Sequence, residues 1–242
     1  MDETWVAGVD GCKDGWVAVF IPIDGNAAPY AIFETRFVDI IDAQSKPAVI
    51  AIDMPIGLPD RIEGPGRVAE QAVRPWLRRK GSSVFSIPSR SAIYAEETAS
   101  LEEAKRIARD TSMPPKAFTL QARGIFKKIR EIDRLLKERP SLKDRVCEIH
   151  PEVAFWKLNS ECVLLTSKKK AAGRAERCKL LARAGIAEEL LTQKPPGTAK
   201  QDDFLDAIVS AIVAHQIYNG NAHPFPEPII RDAFEIPIAI WV

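Results

Sequence analysis

The sequence has no apolar run long enough to cross a bilayer; stretches such as WVAVFIPI fall far short of the roughly 20 residues a spanning helix needs. Its start, MDETWVAGVD, carries acids where a secretory leader needs a positive segment, so a cytoplasmic protein is expected. Cysteine is scarce. Cys12, Cys147, Cys162 and Cys178 are scattered without a CxxC pair or a histidine at metal-ligand spacing, which argues against a disulfide framework and a zinc site and leaves buried or inert thiols as the expected role. Net charge is small as well: +1 sets up no global field for a polyanion, so any nucleic-acid signal has to be local. Internal repeats and low-complexity linkers are also missing. What is present, 46% hydrophobic and 28% charged residues over 242 positions, is enough for one sizeable core, and a single domain over 1–242 is expected.

Strands come first. Residues 4–10 (TWVAGVD) and 15–23 (GWVAVFIPI) are β-branched and aromatic runs separated by the turn-rich GCKDG, which predicts an antiparallel hairpin. AIFETRFV alternates apolar and polar positions after a DGNAAP turn and reads as a third strand; AVIAID, ended by MPIG, reads as a strand buried on both faces. Residues 58–140 then carry helical spacing in RVAEQAVRPWLRR, SLEEAKRIARD and LQARGIFKKIREIDRLLKE, a mostly helical cover inserted after the fourth strand. RVCEIHPE returns to strand character. A basic helix around GRAERCKLLARAG, a helix after Asp202 and a terminal FEIPIAIWV, a candidate edge strand, complete a mixed α/β sheet flanked by helices.

The carboxylates fall on this sketch in a pattern. Asp10 ends the first strand, Asp53 ends the buried fourth strand, Glu148 lies in RVCEI, and Asp203 and Asp206 are three apart on one helix face. Asp10 alone reads equally well as a hairpin-turn residue, and either Asp202 or Asp203 suits a helix N-cap. Asp206 lies beyond the cap beside AIVSAIVA, and Asp53 sits between IAI and MPIG, places where an unpaired carboxylate is costly. Converging acids repel one another unless a cation sits among them. Mg²⁺ or Mn²⁺ with oxygen ligands suits them, and two such ions about 4 Å apart form a clamp for displacement at phosphorus.

Two basic windows interrupt the near-neutral sequence. RPWLRRKGSSVFSIPSR holds Arg74, Arg78, Arg79, Lys80 and Arg90 with no acid and interleaves Trp76 and Phe85; KKKAAGRAERCK holds Lys168, Lys169, Lys170, Arg174, Arg177 and Lys179 against the single acid Glu176. Both read either as solvated helix faces or as phosphate contacts with aromatic stacking on bases. Ser82 and Ser83 fit as loop hydrogen-bonders beside such a ligand rather than as nucleophiles.

GVDGCKDGW, IDMPIGLP, the GSSVFSIPSR loop, Gln121 with KIREID, EIHPE, SKKKAAGRAER and DDFLDA stand in the order seen in the domain of unknown function 429, and the chain resembles that family over nearly its whole length. The family is classed as predicted nucleases with a ribonuclease H fold. The resemblance implies a five-stranded ribonuclease H-like mixed sheet and a metal-dependent nuclease that hydrolyses phosphodiesters with a metal-activated water. It implies catalytic acids at Asp10, Asp53, Glu148, Asp203 and Asp206, with Asp10, Asp53, Glu148 and Asp206 as metal ligands. By analogy Asp10 bridges two ions, Asp53 holds the nucleophile side, and Asp206 with Glu148 or Asp203 holds the leaving-group side. His150 follows as a proton shuttle or as the group that orients Glu148. The first motif departs from the pattern at Asp14, where glycine often stands. Two other classes remain open: a phosphotransferase or nucleotide hydrolase of the same superfamily, which would need two lobes and paired glycine-rich loops, and a nucleic-acid-binding protein without turnover.

Overall fold

The structure, a computed structural model, describes residues 3–25 and 27–242. Asn26, inside the expected DGNAAP turn, lies outside the described residues. The chain divides into two compact units: Met1–Asp53 with Arg145–His223 and Trp241–Val242, and Met54–Asp144 with Pro224–Ile240.

The first unit opens with β1 (Trp5–Cys12) and β2 (Gly15–Pro22), antiparallel from Trp5 opposite Pro22 to Cys12 opposite Gly15, so the expected hairpin turns on Lys13 and Asp14. β3 (Tyr30–Glu34) pairs antiparallel with β2. The expected strand AIFETRFV stops there. Its end belongs to α1 (Phe37–Ile41), where Phe37, Ile40 and Ile41 are buried at helical rather than alternating spacing. β4 (Val49–Asp53) runs parallel to β1, buried until its last residue.

The chain then enters the second unit, whose elements are mainly helical: β5 (Ile62–Glu63), α2 (Val68–Val73), α3 (Arg90–Thr98), α4 (Leu101–Asp110), β6 (Ser112–Met113), α5 (Leu120–Arg123) and α6 (Phe126–Glu138). Pro75 lacks the N–H to continue α2, and residues 74–83 tighten into 3₁₀ turns instead. Ser89 and Ser100 cap α3 and α4 by accepting from Ala92 N and Glu103 N. Buried acids in this unit are matched by arginines. Arg67 meets Glu70 at 2.7 Å and Arg90 meets both Asp133 and Asp232 at 2.7 Å, while Arg130 meets the partly buried Glu96 at 2.9 Å.

Back in the first unit, β7 (Val146–Ile149) pairs parallel with β4. It is followed by α7 (Pro151–Leu158), α8 (Ala171–Arg183), α9 (Glu188–Thr192) and α10 (Gln201–Tyr218). β8 (Pro224–Arg231) and β9 (Pro237–Trp241) close the chain. The large mixed sheet has seven strands rather than the five expected; those of the first unit run β3-β2-β1-β4-β7, and β9 lies beside β8. β8, with three prolines that cannot donate to a ladder, is the edge strand in place of the terminal one. Cys12 and Cys147 are buried and Cys178 partly so, but Cys162 is exposed.

The core of the first unit is α10 laid on one face of the sheet, with Val6, Val17, Val49, Ala51 and Phe155 against Phe204, Ala207, Ile208 and Ala211. Gly8 explains the closeness. A Cβ there would stand 1.9 Å from Ala211 N and 2.2 Å from Ala207 O, so only glycine lets the helix backbone rest on β1.

Candidate metal centre

Register decides which acids meet. Asp10 on β1 is the direct partner of Asp53 at the end of β4, and strand pairs opposite one another share a face. Val6 and Val49 lie on that face, as do Gly8 and Ala51, which is the face that α10 covers. Asp206, one residue before the Ala207 that touches Gly8, is thereby brought to the two strand acids. Asp10, Asp53 and Asp206 each offer a carboxylate oxygen, and these oxygens all lie within 4.8 Å of one another. Asp10 and Asp206 are buried, while Asp53 is partly open to solvent.

Such crowding shows in the protonation of the acids. Burial is the main cause of a pKa for Asp10 well above the ordinary carboxylate range, and the charges of Asp53 and Asp206 add to it. Burial pushes Asp53 up to about 7; Lys168 opposes this, while Glu148, Glu152 and Asp203 add to it. Asp206 is likewise pushed up to about 7 by burial, against the pull of Lys168 and with the charge of Asp53 adding.

Lys168 was expected at a phosphate. Instead its ammonium bonds Asp206 Oδ2, and burial, which would lower its pKa, is outweighed by Asp206, Asp53 and Asp10, which hold it above the usual lysine range. The loop that carries it is pinned from α8. Arg177 Nη1 donates to Thr166 O at 3.3 Å, and Gly173 lies so near that a Cβ would stand 2.1 Å from Ser167 O. Arg177 was also expected at a phosphate. It is fully buried, donating to Glu152 Oε1 at 2.6 Å as well as to Gly173 O, while its Nε has no hydrogen-bond partner among the described residues.

The remaining acids take other positions. Glu148 is buried on β7 opposite Ile52, so it shares the face of Ile52 and not that of Asp53, and it has no oxygen in the cluster of three. Asp203 Oδ2 accepts from Lys200 N at 2.9 Å, the reach-back bond of a helix start, and burial raises its pKa. Asp10 Oδ1 accepts from Gly11 N at 2.7 Å. His150 stands at the N-cap of α7, half-buried. Asp206 Oδ1 is buried and has no hydrogen-bond partner among the described residues.

Of the basic windows, Arg78, Arg79 and Ser82 are exposed on the second unit, as are Trp76 and Phe85, and Lys169, Lys170 and Lys179 are exposed on the first. Lys80 and Ser83 are half-buried, and Ser83 Oγ donates to Lys80 O. Arg174 is half-buried with Nη1 on Lys169 O. Arg78 holds a left-handed backbone, φ 46° and ψ −116°, where a side chain is strained.

The chain belongs to the family described as Protein of unknown function (DUF429), whose family model matches residues 8–230. Neither a curated protein nor a solved structure matches it.

Proposed function

We propose that the chain is a divalent-metal-dependent nuclease, a phosphodiester hydrolase whose first unit is ribonuclease H-like. One observation carries the reading: three carboxylates converge within 4.8 Å, and one of them keeps a buried, unpartnered oxygen, Asp206 Oδ1. A buried acceptor without a donor is costly, and a hard cation removes that cost. The donor set is all oxygen, which fits Mg²⁺ or Mn²⁺ rather than a softer metal. Asp10, Asp53 and Asp206 would hold the ion, which supplies a Lewis acid at phosphorus.

The chain's own residues do the rest. β1 and β4 fix Asp10 and Asp53 in register, and α10 fixes Asp206 by its contact on Gly8. Lys168 opposes the upward shift of Asp53 and Asp206, which favours their ionised, ligating form. Arg78, Arg79 and Lys169 offer exposed positive charge to a nucleic-acid backbone, and Trp76 and Phe85 offer faces for unstacked bases. The strand order β3-β2-β1-β4-β7, with acids on its first and fourth strands, supports the ribonuclease H-like assignment. A cytoplasmic location belongs to the same reading.

A second reading draws on Lys168. Its ammonium already neutralises part of the acid charge, as it would in a binding protein of this fold without turnover. A cleavage screen separates the two. Single-stranded, duplex, hybrid and branched DNA and RNA are incubated with Mg²⁺, Mn²⁺ or EDTA, with Asp10→Asn as control. The nuclease reading expects metal-dependent cleavage of at least one substrate and a loss of about 100-fold or more in the variant. Binding without cleavage, equal in EDTA and in metal, favours the second reading.

A further inference from the structure

We infer that Lys168 stands in the place of a second ion, so that the centre takes one divalent cation and not two. The inference rests on the metal reading above and narrows it. Two oxygens of one carboxylate carry it: Oδ2 of Asp206 is taken by the Lys168 ammonium, while Oδ1 is buried and open. A two-ion clamp needs a carboxylate free to face both ions, and Asp206 has one face left. Asp10 is similarly half engaged, with Oδ1 on Gly11 N.

Charge points the same way. The three clustered acids carry three negative charges when ionised, and one divalent ion with one ammonium balances them. A second divalent ion beside Lys168 would leave a buried site with excess positive charge, which is as costly as excess negative charge. Neither Glu148 nor Asp203 places an oxygen in the cluster.

Nor is Lys168 a surface lysine that happens to fold inward. Thr166 and Ser167, just before it, are fixed by Arg177 and by the close approach of Gly173, both on α8. The lysine is therefore presented to the acids by a loop with two backbone anchors, as a ligand in a rigid site must be.

The test counts ions on the full chain without nucleic acid, by calorimetry with Mn²⁺ and by electron paramagnetic resonance of free Mn²⁺. The parent is expected to take one ion. Lys168→Met and Lys168→Ala, which free Asp206 Oδ2 and remove the charge, are expected to take two, and Lys168→Arg, which keeps the charge, one. Circular dichroism establishes that each variant is folded before counting. A parent that takes two ions, or neutral variants that still take one, overturns the role of Lys168 and leaves the metal reading standing. A parent that takes none overturns the metal reading and this inference with it. If neither neutral variant folds, Lys168 is a structural ion-pair partner and the inference falls.

Discussion

In the second unit each buried or partly buried acid described above faces an arginine: Glu70 has Arg67, the partly buried Glu96 has Arg130, and Asp133 and Asp232 share Arg90. In the first, Asp10, Asp53 and Asp206 share one lysine, and one oxygen of Asp206 has no partner among the described residues. The consequences for protonation are opposite. Asp133 and Glu96 are held below their ordinary range because their arginines outweigh burial, whereas burial and mutual repulsion lift all three acids of the first unit. The same chain thus contains a closed charge balance and an open one. Closed pairs hold a fold in register; an open set of acids costs stability unless something from outside completes it.

The contrast breaks most visibly at Arg90. Arg90→Met removes the guanidinium shared by Asp133, which keeps Lys137 and Tyr94, and Asp232, which keeps backbone N–H donors, and is expected to lower stability by about 3 kcal/mol in chemical denaturation. The count of Mn²⁺ bound should not change. A variant that loses stability and metal together would show that the second unit is no mere scaffold.

Asp206→Asn comes next. It removes charge but keeps shape, and is expected to lower cleavage by about 100-fold or more while oligonucleotide affinity in EDTA stays within a few-fold of the parent. Little stability should be lost, because the variant relieves repulsion. A large drop in melting temperature together with lost binding would make Asp206 a structural group like Asp133.

The smallest effect is the dependence on pH. In EDTA the folded first unit holds protons on Asp53 and Asp206 up to about 7 that the unfolded chain releases near pH 4, so stability falls as pH rises between those values. Asp133 and Glu96 act in reverse: their contribution is present above the ordinary carboxylate range and is lost as pH falls through their depressed values. Melting curves in EDTA should therefore peak on the acid side of neutrality. Saturating Mg²⁺ should shift the peak upward and add about 2.7 kcal/mol at 100 times Kd. Superimposable profiles with and without Mg²⁺ would leave the first unit's charge unexplained by metal.

Much of this was legible in the sequence where a side chain's cost is local. Asp53 and Asp206 stand out because each lies in an apolar stretch with nothing nearby to satisfy it. The hairpin was readable from its β-branched runs and short turn. α7 was not, since Pro151 reads as a breaker although proline also suits the first position of a helix. β8 was hidden by its three prolines for the same reason. Lys168 was hidden most deeply. It is one of three consecutive lysines, and only tertiary packing separates it from Lys169 and Lys170. Gly173 was the available signal, because a glycine inside a helical pattern often marks a close backbone approach.

Gly8 has no functional group and would be left out of any inventory of polar residues at the centre. Yet the three atoms nearest to a methyl there are all main chain, belonging to Ala207, Ser210 and Ala211. No rotamer can absorb the collision, so the smallest possible side chain would move an entire helix. The distance between the strand acids and the helix acid is thereby built to the tolerance of a backbone contact. The calibration of the instrument lies in a residue that touches none of its chemistry.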